Sequence, residues 1–114
     1  MREKLLAGRV REWAKNRGYL YLRIENMVGE GIPDVWLGIR DWYCWVELKT
    51  GTGLRPSQVN WMLLAEKSAV RCCALKMKDS GVCEILKPTW ENPKEKVGSF
   101  PDLASAMEYI VNEL

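Results

Sequence analysis

Apolar positions between residues 2 and 17 recur at Leu6, Val10, Trp13 and Ala14, one face of a 3.6-residue period, and predict a helix over 2–17. Gly18 follows as a residue able to close it. The period then drops to two: residues 19–25, Tyr-Leu-Tyr-Leu-Arg-Ile-Glu, alternate and are rich in β-formers, so they read as a strand. A loop over 26–33 carries Gly29, Gly31 and Pro33. Two short runs, 34–39 and 42–48, flank Arg40-Asp41, a spacing that fits an antiparallel hairpin without the glycine such turns favour. Residues 50–54 form a loop, and Pro56 suits the first turn of a helix reaching about Ala69, with Gln58, Trp61, Met62, Ala65 and Ala69 on one face. Runs 70–77 and 82–87 predict two more strands, turned by Asp79-Ser80-Gly81. Residues 88–98 read as a polar loop, and Ser99 or Pro101 opens a last helix with Leu103, Met107, Ile110, Val111 and Leu114 as its stripe. Helix, three strands, helix, two strands, helix predicts an α/β fold, a mixed sheet with helices packed on it.

At 114 residues and 47% hydrophobic content, a single domain over 1–114 with an unstapled core is expected. No run approaches the roughly 18 apolar residues of a membrane span. The charged opening Met1-Arg2-Glu3-Lys4 is unlike a signal peptide, and a cytoplasmic location is expected. Histidine is absent, which excludes Ser-His-Asp and Cys-His catalysis and His-ligated zinc. Cys44, Cys72, Cys73 and Cys83 lack the paired spacing of a zinc site and read as small core residues, Cys72 and Cys73 on opposite sheet faces. The net charge of +2 is uneven: acid collects in residues 25–48, with basic segments on either side. That suits a polyanion gripped around an acidic, metal-binding centre, and equally a mixed solvated surface.

The chemistry concentrates in Gly31-Ile32-Pro33-Asp34 and Glu47-Leu48-Lys49. Strand alternation puts Glu47 and Lys49 on one face, about 7 Å apart, and turns Leu48 to the other. Folding 34–39 back on 42–48 brings Asp34 beside Glu47. Two carboxylates this close repel unless a cation intervenes, and hard oxygen ligands suit Mg²⁺, with Mn²⁺ able to substitute. The Leu48 carbonyl lies between them and could serve as a third ligand. Lys49 can orient or activate a nucleophilic water, and lysine and metal together stabilise charge on a phosphate in flight. In the first helix Glu3 falls within the apolar stripe, an expensive place for an unpaired carboxylate, although a first-turn acid also suits the helix dipole.

Pro33-Asp34…Glu47-Leu48-Lys49 resembles the signature of the PD-(D/E)XK nuclease superfamily. Gly31-Ile-Pro-Asp-Val, Glu47-Leu-Lys-Thr-Gly and Leu54-Arg-Pro-Ser-Gln58 are similar to its virus-type VRR-NUC branch, over roughly residues 3–77. The resemblance implies a restriction-endonuclease-like αβββαβ core with an extra C-terminal helix. It implies metal ligation by Asp34, Glu47 and the Leu48 carbonyl, with Lys49 as catalytic lysine. Glu3 matches a helix-1 glutamate that holds a metal-side water or second ion, and Gln58 a glutamine near the scissile phosphate.

The expected function is a Mg²⁺-dependent, structure-selective DNA endonuclease acting on branched DNA such as Holliday junctions, in a bacterial or phage-infected cell. The rival reading is a non-catalytic DNA-binding module on a nuclease fold. Basic side chains, among them Arg9, Arg11, Lys15 and Arg55, are candidates for phosphate contacts that position DNA without reading sequence. A homodimer is implied by the resemblance, with the apolar last helix and exposed tryptophans as candidate surface. Trp36 and Trp45 share faces with Asp34 and Glu47 respectively.

Overall fold

In the computed structural model, which describes residues 2–24 and 31–114, the chain forms nine elements. They are α1 (Glu3–Asn16), β1 (Leu20–Arg23), β2 (Val35–Ile39), β3 (Trp42–Lys49), α2 (Pro56–Lys67), β4 (Cys72–Met77), β5 (Cys83–Leu86), β6 (Lys96–Phe100) and α3 (Leu103–Glu113). The predicted end of the first strand at Glu25 and the loop residues 26–30, Gly29 included, lie outside the described residues.

The six strands form one sheet in chain order, β1 to β6. Every neighbouring pair is antiparallel except β3–β4, which is parallel because α2 carries the chain back across the sheet. The turn from β2 to β3 has the two residues expected: Ile39 pairs with Trp42, and Arg40 takes the left-handed φ of 53° in place of a glycine. Gly81, at φ 94°, closes the β4–β5 turn.

Alternation along the strands sorts the sheet into two faces. Val35, Leu37, Cys44, Val46, Leu48, Cys73, Leu75 and Ile85 join Leu6, Val10, Met107 and Ile110 in the main core, so α1 and α3 cover one face. Cys72 and Ala74 face the other way and pack with Met62 and Ala65 of α2, flanked by Trp45 and Trp61 at 5.7 Å between rings. The adjacent cysteines thus do split between faces. All four thiols are buried and free. Burial pushes Cys72 and Cys83 up to about 11, away from the reactive thiolate.

Three expectations change. Residues 96–100 of the supposed polar loop form β6, an edge strand made of Lys-Val-Gly-Ser-Phe. Its alternation is hidden by Gly98, over which the Phe100 ring lies. The last helix therefore starts at Leu103, capped by the Asp102 carboxylate, which accepts from the Ser105 N–H at 2.8 Å. Ala69 lies past the end of α2, exposed and at φ 60°, not on its inner face. Finally, α3 turns Ala106, Met107 and Ile110 into the core, so its apolar stripe is consumed within the chain. Replacing Asp102 with Ala is expected to lower the midpoint of urea denaturation.

Candidate active site

The β2–β3 register pairs Val35 with Val46; one step further along the same ladder Asp34 stands across from Glu47. Asp34 lies just before β2. Its backbone carbonyl accepts from the Ile24 N–H at 2.7 Å, and its carboxylate accepts from the Leu48 N–H at 3.0 Å. A side-chain oxygen thus replaces a ladder carbonyl where the pairing ends, which fixes the carboxylate against β3.

Glu47 and Lys49 occupy the last turns of β3 on the α2 face, only 3% and 6% exposed, while Leu48 is wholly buried on the other. The Lys49 ammonium is 4.0 Å from the nearer Glu47 oxygen. Gln58, third residue of α2, is also buried. Its Nε2 donates to Glu47 Oε2 at 3.0 Å, and its Oε1 accepts from the Arg55 N–H at 2.8 Å. That second bond is half of a capping box. The guanidinium of Arg55 has no acceptor with which to complete it. Both ends of the Gln58 amide are therefore spoken for, and the donor end faces the carboxylate.

Gly31 explains how α2 comes so close. It has φ 84°, and a Cβ placed on it would stand 2.2 Å from the Ser57 carbonyl oxygen. Only glycine allows the strand-entry loop to lie directly against the first turn of α2. The Gly-Ile-Pro-Asp tetrad thus does two jobs: Asp34 sets a carboxylate against β3, and Gly31 seats the helix that carries Gln58.

The electrostatics follow from this packing. Burial chiefly, then the charge of Asp34 and a shared hydrogen bond with it, raise the Glu47 carboxyl from 4.5 to about 8; Lys49 pulls the other way. Glu3 also pushes it up. Glu3 itself is exposed in the first turn of α1, not turned into the apolar stripe. A first-turn acid gains from the helix dipole and from water there, and burial would cost more than it returns.

A buried carboxyl pressed by a half-buried one suits a hard divalent ion. Among the described residues no group of three or more His, Cys, Asp or Glu could hold a metal. Asp34 and Glu47 are a pair of carboxyls that could hold such an ion only with further oxygens from backbone, water or a substrate phosphate, a ligand set of the kind Mg²⁺ takes. Of the candidate DNA contacts, Arg9, Arg11 and Lys15 are exposed on α1, and Arg55 is exposed at the entry to α2. Arg9 reaches the Met77 sulfur at the end of β4.

The architecture has a solved counterpart. Hjc, a Holliday junction resolvase from the archaeal hyperthermophile Archaeoglobus fulgidus, aligns with a TM-score of 0.63 over 92% of this chain and 98% of its own, at 14% identity. The fold is restriction-endonuclease-like. No family model matches the sequence, and no curated protein matches it either. At that identity the likeness speaks for the α/β scaffold, a six-stranded mixed sheet between helices, and for nothing finer.

Two outcomes follow. Gly31→Ala should destabilise the protein by about 2–4 kcal/mol, because backbone meets backbone and φ is left-handed, whereas Gly51→Ala, with open space around it, should change little in the same urea titration. In metal-free protein, Glu47 contributes stability fully below about pH 4.5 and loses it as pH rises towards 8, since the folded state keeps a proton the unfolded chain releases. Melting temperatures across that window should fall for the parent and fall less for Glu47→Gln.

Proposed function

We propose that this chain is a divalent-metal-dependent, structure-selective DNA endonuclease of the VRR-NUC type, cleaving branched DNA such as four-way junctions. The observation that carries the reading is the meeting of Asp34, Glu47 and Lys49 at the end of β3, with Gln58 bonded to Glu47. The scaffold shared with a Holliday junction resolvase supports it.

In this reading Asp34, Glu47 and the Leu48 carbonyl hold Mg²⁺ or Mn²⁺. Such an ion supplies positive charge that offsets the paired carboxylates and draws electron density from the scissile phosphate. Lys49 orients the attacking water by hydrogen bonding and stabilises negative charge growing on the phosphate oxygens. Gln58 keeps the Glu47 carboxylate aimed, and Glu3 contributes outlying negative charge that favours the cation. Arg9, Arg11, Lys15 and Arg55 grip phosphates and set the position of the duplex.

A homodimer fits one surface in particular. Leu20 and Leu22 of β1 stand opposite Gly38 and Trp36 of β2, and Gly38 in turn opposes Tyr43. The Trp36 ring folds over Gly38 and stacks on Tyr43 at 5.7 Å. Leu20, Leu22 and Tyr43 are 56%, 46% and 41% exposed, an apolar patch at the sheet edge. It replaces the last helix as the face for a second copy. Two copies related by a two-fold axis would present two sites for paired cuts.

Purified protein incubated with a four-way junction and Mg²⁺ should cut it, and chelator should stop the reaction. Glu47→Ala and Lys49→Ala should each lower the rate by about 100-fold or more, with an unchanged circular-dichroism spectrum at the assay temperature as the control. Full activity in both variants would overturn the site; parent protein that binds the junction yet fails to cut it whichever divalent ion is supplied would point to the non-catalytic module. Leu22→Glu should leave the fold intact and shift the sedimentation profile to monomer.

A further inference from the structure

Beside the carboxylate site the α2 face of the sheet opens into a groove of about 680 Å³, and nothing in the proposed reaction uses it. Its walls are α2 on one side and residues 89–94 on the other, with Lys76, Glu84 and Leu86 as the floor. Lys76 pairs with Lys49 in the parallel β3–β4 register, so the floor begins one strand, about 4.8 Å, from the proposed catalytic lysine. Gly53, Leu54 and Pro56, between Lys49 and Gln58 in the chain, form the near rim.

Two features of the groove point to one class of ligand. The first is a cation without a counter-charge. Lys76 is half-buried and pairs across the strands with Glu84, yet Glu84 bonds Lys78 at 3.3 Å and Lys96 at 3.0 Å instead. Among the described residues the Lys76 ammonium makes no hydrogen bond or ion pair. The lining thus holds two lysines, Lys76 and Lys94, and one carboxylate, Glu84, which Lys78 and Lys96 already pair. The second is an aromatic ring held out from the protein. Trp90 is 65% exposed and, among the described residues, packs on no other ring. Its loop is nonetheless braced: the Asn92 N–H donates to Thr89 Oγ1 at 2.9 Å, the Thr89 N–H to the Asn92 carbonyl at 3.0 Å, and the Lys94 N–H to Asn92 Oδ1 at 3.1 Å.

We propose that this groove takes an unpaired nucleotide of the DNA strand beside the cut, its base against Trp90 and its phosphate on Lys76. The inference rests on the nuclease reading and adds to it a reason for selecting branches that expose unpaired nucleotides. Stacking on an indole is open to any base but only to one freed from its own duplex, and an anchored ammonium suits the phosphate attached to it. Leu54, Leu86 and Pro93 supply apolar walls, while the neutralised Glu84 leaves the groove net positive. A fully paired duplex cannot offer a base to it, so discrimination arises at a surface separate from the carboxylates.

The test uses full-length protein with Ca²⁺ in place of Mg²⁺ and three probes: a junction with unpaired thymidines at its branch, a linear duplex, and a thymidine oligonucleotide. Trp90→Ala should weaken the first and third by about tenfold, leave the duplex unchanged, and be largely rescued by Trp90→Phe. Lys76→Met should weaken the same two and lower the slope of log affinity against log salt by about one. A 2-aminopurine at the branch should be quenched by parent protein and less by Trp90→Ala. Parent-like binding by both variants to every probe, with cleavage intact, would overturn the groove and leave the nuclease reading standing. Failure of the parent to bind any of the DNAs would overturn both.

Discussion

Glu47 is a carboxylate kept out of water, and the surrounding structure answers to that. One amide donates to it, one ammonium stands 4.0 Å away, and another carboxylate presses on it from the neighbouring strand. A side chain of this kind is costly to bury, so its presence under α2 has to be compensated locally. Gln58 is the compensation the chain carries itself. That bond holds only if α2 lies tight against the loop entering β2, which the Cβ-free Gly31 makes possible. The remaining repulsion from Asp34 is what a divalent cation would relieve.

The sheet order serves this placement. Antiparallel β2–β3 pairing brings Asp34 and Glu47 to the same level, and the parallel β3–β4 crossover lays α2 over them. The opposite face, buried beneath α1 and α3, supplies the hydrophobic stabilisation and leaves the α2 face free to carry polar groups. Lys49, Lys76 and Glu84 thus form a charged row across three strands that a two-sided core would not tolerate.

Much of this was legible in the residues. Short alternating runs and a two-residue connection gave β2 and β3, and period-two geometry put Glu47 and Lys49 on one face with Leu48 opposite. Gln58 lay on the inner side of its helix by periodicity. What local pattern could not supply was long-range. Glu3 looked inward on a helical wheel, but a wheel does not say that the first turn overhangs the packed region. Lys96–Phe100 hid as a loop because Gly98 interrupts its pattern and Pro101 stands at its end; pairing with β5 makes it a strand. The role of Gly31 depends on Ser57, twenty-six residues on, and no window of sequence shows that contact. Trp90 carried a faint signal, a lone indole in a polar stretch, whose meaning comes from the groove beside it.

Because strand order follows chain order, the β3–β4 border is where the sheet turns from antiparallel to parallel pairing, and residues 50–71, with α2 among them, span it. Asp34, Glu47 and Lys49 travel with the leading half; the floor and far wall of the groove travel with the trailing half. A polymer lying over both would stitch the two together, so tension applied along it would be borne by that parallel ladder and by the core that α1 and α3 share beneath it.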